Sequence, residues 1–262
     1  MSRPLVTCHI GEGIAHIRLD RPERLNVLDL EMAEDFEIAV NGALADPDVR
    51  VIVITGNGKS FCAGGDLASF HAAADKGAAI VDLLAPLNRA ILKLAEAPKP
   101  VIGGVQGAVA GGGMSLALGF DLLLAAEDTR FNLAYVNIGG VPDCGGSWFL
   151  PRLVGLRRAL EIALLAESID APEAKALGLV NRVVPHGQLE DAVLRLARRL
   201  ADGPVLALAH TKALLRSSFE RGLTGQLEHE AEAFAQCAAD PAFDAALSAF
   251  FARKSATGTP EP

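Results

Sequence analysis

Residues 49–66 read VRVIVITGNGKSFCAGGD, and the two halves of this stretch decide the architecture. The first half, Val49 to Thr55, is an almost unbroken β-branched apolar run. Such a run predicts a strand covered on both faces, as in a parallel sheet. The second half is a glycine-rich loop, which invites a nucleotide reading. That reading fails on spacing. The first glycine of a GxxxxGKS phosphate loop would fall on Val53, inside the strand. The third glycine of a dinucleotide fingerprint would fall on Phe61. The plain structural reading is a hairpin-like turn. The chemical reading is that Gly64 and Gly65 leave main-chain N–H groups open to close approach by a carbonyl.

Outward from this stretch, strands and helices alternate. In Ile14 to Leu19, Ala15, Ile17 and Leu19 face one way and His16 and Arg18 the other, which predicts a strand with one partly covered face. Met32, Phe36, Val40 and Ala43 recur at helical spacing behind Asp29, a suitable N-cap. A second helix is predicted from Ala78 to Ala97, with Pro86 as a possible kink. Short strands at Val101–Val105, Asp121–Ala126 and Asn181–Val184 complete an α/β core. From Gln188 onward the apolar spacing is helical only, over 188–202, 204–217 and 223–253, with breaks at Gly203–Pro204, Gly222 and Asp240–Pro241. The expected division is an α/β core, 1–187, and a helical region, 188–262.

Composition narrows the partners. The chain has 262 residues, 50% hydrophobic and 21% charged, which suits a folded domain with a large core. Lys and Arg total 24 against 32 Asp and Glu, and the net charge of −8 argues against nucleic acid. An anionic small molecule stays open, because a few bases and helix N-termini can hold it. The four cysteines, at 8, 62, 144 and 237, form no CxxC pair, so neither a metal cluster nor a disulfide framework is expected. Reduced thiols and a cytoplasmic location are the simplest expectation, and the N-terminus lacks a signal peptide's apolar centre. Val101 to Phe120 carries no charge, but seven of its residues are Gly. That density suits a tight turn inside a core better than a membrane span.

Two further glycine-rich places carry candidate chemistry. Gly107 to Ser115 (GAVAGGGMS) looks like a loop entering a buried helix, whose first N–H groups point outward with partial positive charge. Gly113-Met-Ser115-Leu-Ala117 falls one glycine short of a nucleophile elbow, so a serine hydrolase with Asp143 and His186 or His210 is an alternative. The third place is Pro142-Asp143-Cys-Gly-Gly146, at the end of a charge-free run from Phe131 to Pro142. Asp143 there is either the cap of a helix starting near Gly146 or a carboxylate among apolar groups that shuttles protons.

Taken in order, these pieces resemble the enoyl-CoA hydratase/isomerase (crotonase) superfamily over nearly the whole chain. The resemblance is carried by Arg21-Pro-Glu-Arg-Leu-Asn-Val-Leu28, Val51-Ile-Val-Ile-Thr-Gly56, Ser60-Phe-Cys-Ala-Gly-Gly-Asp66, Lys99-Pro-Val-Ile102, Gly107 to Ser115, Phe120-Asp121, Ile138 to Gly146 and Ala174-Lys-Ala-Leu-Gly-Leu-Val180. It implies a crotonase-like spiral of ββα units with a helical C-terminal trimerisation region. It also implies a homotrimer or dimer of trimers, and an acyl-CoA thioester substrate with no further cofactor and no metal.

The resemblance places the amides of Gly65 and Gly112 on the thioester oxygen. Removing a proton beside that carbonyl builds negative charge on it, and losing one of two such donors typically costs about 2.7–4 kcal/mol. Arg24, Leu25, Ala63, Gly64, Asp66 and Leu67 match positions where the family approaches coenzyme A, and Lys254 matches one that reaches a phosphate. The family's hydratases carry a Glu two residues after the third glycine and another before the I-G-x-x-P piece. Here those positions hold Ser115 and Tyr135, which are poor acid–base groups for hydration near neutral pH. Asp143 matches the Asp used by several of the family's isomerases, and Tyr135 is expected either to orient it or the substrate or to serve simply as pocket wall. The leading expectation is therefore double-bond isomerisation by Asp143. Alternatives are an enoyl-CoA hydratase, a thioester hydrolase and a non-catalytic acyl-CoA-binding protein.

Overall fold

The computed structural model describes residues 4–256, with side chains through residue 252. The chain opens with a hairpin of β1 (Val6–Gly11) and β2 (Ile14–Leu19), followed by α1 (Leu30–Ala45). Asp29 caps α1 as expected, its carboxylate accepting from the Met32 amide. Next come β3 (Val51–Gly56), α2 (Leu67–Ala72), α3 (Lys76–Glu96), β4 (Val101–Val105), β5 (Ala108–Ala110) and α4 (Gly112–Leu118). They are followed by β6 (Leu122–Ala126), β7 (Arg130–Asn132), α5 (Gly146–Val154), α6 (Leu156–Leu165), β8 (Ile169–Asp170), α7 (Ala171–Ala176), β9 (Arg182–Val184) and α8 (Leu189–Ala201).

One sheet has the order β1-β2-β3-β4-β6-β9 and is parallel except for the β1–β2 pair. A smaller sheet has the order β5-β7-β8. The chain steps from the large sheet to the small one and on into a helix, from β4 to β5 to α4, and again from β6 to β7 to α5. After β3 the same step is made with a single residue, Cys62, bridged to Val109 of β5. These steps make the expected spiral of ββα turns.

The period of a strand divides the core in two. Ile52 and Ile54 of β3 join Phe36, Leu87 and Phe61 on one face. Val51 and Val53 join Val193, Leu196 and Ala197 of α8 on the other. A continuous apolar run is what two covered faces require, since burying each such side chain contributes about 1.5–3 kcal/mol.

Local differences from the sequence reading have physical causes. The loop after β3 does not reverse as a hairpin. The Phe61 amide donates to Gln106 O at 2.8 Å, and Gln106 Nε2 donates to Gly56 O and Gly58 O, so the loop runs on toward the small sheet. Helix α3 starts earlier than expected because Asp75 caps it, and it continues through the buried Pro86. The all-helical stretch beyond Gln188 begins with α8, which packs on the large sheet, and the compact units divide after Ala201. The second unit holds α9 (Val205–Ser217), α10 (Leu223–Ala238) and α11 (Pro241–Ala256). Among the described residues, no helix is long and apolar enough to cross a membrane.

Candidate active site

The first wall of the site is the segment from Arg21 to Leu28 laid against the loop that follows β3. Leu25 and Asn26 both have left-handed backbones, with φ of 53° and 54°. This tight turn is held by Asn26, which is fully buried. Its amide accepts from the Arg21 N–H and donates to the carbonyls of Asn57, Ser60 and Phe61. The Leu28 amide then donates to Gly64 O at 2.7 Å, and the Asp66 amide donates to Leu28 O at 2.8 Å. In such a parallel bridge the residue between, Gly65, turns its own N–H away from Leu28. Among the described hydrogen bonds, the Gly65 amide has no acceptor.

The second wall is the start of α4. The Gly111 amide is taken by Asn132 O, and Gly112 is the first helical residue. Its N–H belongs to the orphan donors of a helix N-terminus, and no acceptor for it occurs among the described hydrogen bonds. The Cys62–Val109 bridge holds the two loops together. They touch so closely that a β-carbon on Gly64 would stand 3.0 Å from Ala110 O. Two unpaired main-chain donors, each on a pinned loop, make an arrangement suited to a developing oxyanion.

Asp143 enters from the loop before α5. Cys144 and Gly145 are both left-handed, with φ of 49° and 80°, and Gly145 is the N-cap of α5 with no side-chain cap. Asp143 is therefore not the helix cap that the sequence also allowed. Its Oδ1 instead accepts a hydrogen bond from the Tyr135 hydroxyl. Tyr135 in turn lies 3.0 Å from Ser115 Oγ. Burial, the Asp143 charge and the Asp143 hydrogen bond push the Tyr135 phenol far up, so it stays a donor. Burial, the Asp143 charge and a hydrogen bond to Asp143 likewise push the Cys144 thiol far up. A β-carbon on Gly112 would meet Leu28 Cδ1 at 3.2 Å, Asp143 Oδ1 at 3.6 Å and Cys144 Sγ at 3.7 Å. The carboxylate thus stands beside one of the two free amides.

Arg24, Leu25, Ala63, Gly65, Asp66 and Leu67 line one open groove of about 470 Å³. Gly64 sits behind it, against Ala110. Asp66 is buried, caps α2 through the Ala68 and Ser69 amides, accepts from Ser69 Oγ, and pairs with the half-exposed Arg24 at 2.8 Å. Burial alone would raise its carboxyl, but the bonds from Ser69, the Arg24 charge and the Ala68 amide hold it below the usual range. The side chain of Lys254 lies outside the described residues.

The serine-hydrolase arrangement is not assembled with His186, which pairs with Asp128 at 3.0 Å, and Ser115 Oγ is fully buried and bonded to Tyr135 rather than to a histidine. Among the described residues, no cluster of His, Cys, Asp or Glu could hold a metal ion. Sequence reading missed the organising role of Asn26 and the nearness of Phe70, whose ring would lie 2.8 Å from a β-carbon on Gly65.

Two glycine amides without an acceptor among the described hydrogen bonds, one of them beside a carboxylate, make an arrangement that could receive the charge of a carbonyl compound as it becomes anionic. Residues 9–257 match the Enoyl-CoA hydratase/isomerase family, and the chain belongs to it. It is 35% identical over 255 residues to the 1,2-epoxyphenylacetyl-CoA isomerase of Escherichia coli, covering 95% of this chain and 96% of that protein. It is 33% identical over 247 residues to the crotonyl-CoA hydratase of Syntrophomonas wolfei, covering 94% of each. The crystal structure of an enoyl-CoA hydratase from Polaromonas sp. JS666 superposes with a TM-score of 0.89 at 33% identity, covering 95% of this chain and 97% of that one. The protein is thus an enzyme of the enoyl-CoA isomerase or hydratase kind, with the crotonase fold.

Proposed function

We propose that this enzyme shifts a carbon–carbon double bond within an enoyl-CoA thioester, with Asp143 as the sole proton carrier. The Asp143 carboxylate takes a proton from the carbon next to the thioester carbonyl of a 3-enoyl ester. The electron pair moves onto the carbonyl oxygen, where the Gly65 and Gly112 amides receive the charge. The proton returns to the carbon at the far end of the former double bond, which leaves the conjugated 2-enoyl ester. No water is consumed, so one carboxylate suffices. The steps use only main-chain amides, one side chain and the substrate, with coenzyme A as part of that substrate.

The observation that carries this reading is the pairing of Ser115 with Tyr135 and of Tyr135 with Asp143. Hydration needs two groups to position water, deprotonate it and protonate the acyl chain. Here the two positions that would supply carboxylates hold hydroxyls bonded to each other. Relatives named for isomerisation and for hydration both occur, and what supports isomerisation here is this set of side chains.

The groove past Arg24, Leu25 and Asp66 is the path proposed for the coenzyme A moiety. The helical region carries exposed Phe219, Leu223, Leu227 and Phe234, apolar surface suited to assembly as a trimer or dimer of trimers. Four free thiols suit a cytoplasmic enzyme.

The test is a panel of 3-enoyl, 2-enoyl and ring-derived CoA esters assayed with wild type and Asp143→Asn. Conjugated enoyl absorbance should grow from 3-enoyl esters with wild type and not with the variant. Rapid loss of that absorbance from crotonyl-CoA would favour hydration instead. Full turnover by Asp143→Asn on every active ester would remove Asp143 from the chemistry.

A further inference from the structure

We infer that Tyr135 is a positioning residue: backed by Ser115, its hydroxyl fixes the carboxylate of Asp143 in the orientation that proton transfer requires. This rests on the reading of Asp143 as the proton carrier and adds to it how the carboxylate is held. Asp143 lies on a loop whose next two residues are left-handed, and no side-chain cap ties it to α5. A half-buried carboxylate on such a loop has several rotamers open to it. The Tyr135 hydroxyl, with the neighbouring Cys144 thiol also bonded to the carboxylate, selects one of them.

The direction of each bond follows from the acceptors. An ionised carboxylate can only accept, so the Tyr135 O–H points to Asp143 Oδ1. The Tyr135 oxygen is then free to accept, and Ser115 Oγ–H, 3.0 Å away, donates to it. Ser115 is fully buried in the first turns of α4, and its amide donates to Gly111 O at 3.0 Å. Tyr135 is anchored at both ends of its peptide, its amide donating to Leu133 O and its carbonyl accepting from Gly140. A rigid donor behind a rigid donor polarises the chain toward the carboxylate. The same helix that presents the Gly112 amide therefore also sets Asp143, through Ser115 and Tyr135.

This role differs from that of a plain pocket wall. A wall would give the same turnover with Phe in place of Tyr, since the ring is unchanged. A positioning hydroxyl acts through Asp143 and has no value once Asp143 is gone.

The experiment is a double-mutant cycle in kcat and KM on the 3-enoyl-CoA ester that wild type turns over fastest, with solvent deuterium uptake followed by mass spectrometry as the slow-rate readout. The proteins are wild type, Tyr135→Phe, Asp143→Asn and the double variant, with thermal melts for each. Tyr135→Phe should lower kcat by about tenfold to a hundredfold, leave KM within about twofold, and keep the melt. In the Asp143→Asn background the same change should cost less than about twofold. Wild-type kcat in Tyr135→Phe, or losses that multiply across the cycle, would overturn the inference while leaving Asp143 in its role. Full turnover by Asp143→Asn would strike that role itself. Should Tyr135→Phe melt below the assay temperature, Ser115→Ala keeps the phenol and decides the matter: a lower kcat at unchanged KM supports the relay, and an unchanged kcat overturns it.

Discussion

Gly112 and Asp143 are neighbours across the site, with a β-carbon on Gly112 reaching to 3.6 Å from Asp143 Oδ1. The helix that offers the amide thus begins within contact distance of the carboxylate. Gly112→Ala tests the chemistry at this point. The new methyl would meet Cδ1 of the buried Leu28 at 3.2 Å, so that side-chain end must give by a few tenths of an ångström, and its other neighbours stand at ordinary distances. Stability should fall by no more than about 1–3 kcal/mol. In the proposed reaction the reacting carbon sits between amide and carboxylate, so kcat/KM should fall by about a hundredfold. An alanine variant with undiminished turnover would place the substrate elsewhere.

Gly64→Ala should act through the backbone instead. Gly64 has φ of +100°, and a β-carbon there would stand 3.0 Å from Ala110 O. The obstacle is backbone, which cannot rotate aside. Left-handed strain at such a position costs on the order of 1–3 kcal/mol. Denaturant unfolding should show that loss. Turnover should fall as well, because relieving the clash tilts the adjoining Gly65 amide. A variant as stable as wild type would mean that the two loops can part without cost.

His16 gives a pH dependence of stability whose sign is fixed by its surroundings. Burial first, then Arg18, lower its pKa from 6.5 to about 4, with Glu190 partly opposing. The unfolded chain therefore binds a proton near pH 6.5 that the folded chain refuses until about pH 4. The stability contributed by neutral His16 is complete above the unfolded value and is lost as pH falls through this window. His16 Nε2 lies 2.8 Å from Thr55 Oγ1, a bond that the side chain of Gln can replace. Melting temperatures of His16→Gln and wild type, followed from neutral pH down through this window, should show a shallower fall for the variant. Parallel curves would mean that other groups carry the acid sensitivity.

The α/β core was legible in the sequence because it rests on short-range signals: the β-branched run of β3 has only one comfortable environment. Gly65 and Gly112 were singled out by motif position, and among the described hydrogen bonds neither amide has an acceptor. Asp143 was legible as an isolated carboxylate in apolar surroundings, though its alternative as a helix cap could be settled only by the left-handed turn at Cys144 and Gly145. What was not legible was long-range. Asn26 reaches carbonyls more than thirty residues away. The short strands β5, β7 and β8 have two or three residues each, too few to show a period. The course of the loop after β3 depends on Gln106, whose side chain gives no local sign of its partners.

Ser115→Glu tests whether the site can be turned toward hydration by restoring one carboxylate. Ser115 is fully buried, and a β-carbon on Gly146 would already lie 2.3 Å from its Oγ. The Tyr135 hydroxyl closes the other side at 3.0 Å. A glutamate adds a methylene and a charged group to a space that holds neither, close to the charge of Asp143. Overpacking costs about 1–3 kcal/mol and an unpaired buried charge about 3–5 kcal/mol more. The variant should therefore unfold at much lower denaturant than wild type and show no hydration of crotonyl-CoA. Its packing against Gly146 ties the serine to the same loop system that carries Asp143, so the missing carboxylate is built into the fold rather than being a single exchangeable position. A stable Ser115→Glu enzyme that hydrates crotonyl-CoA would show instead that this wall gives way, and that one side chain separates the two reactions.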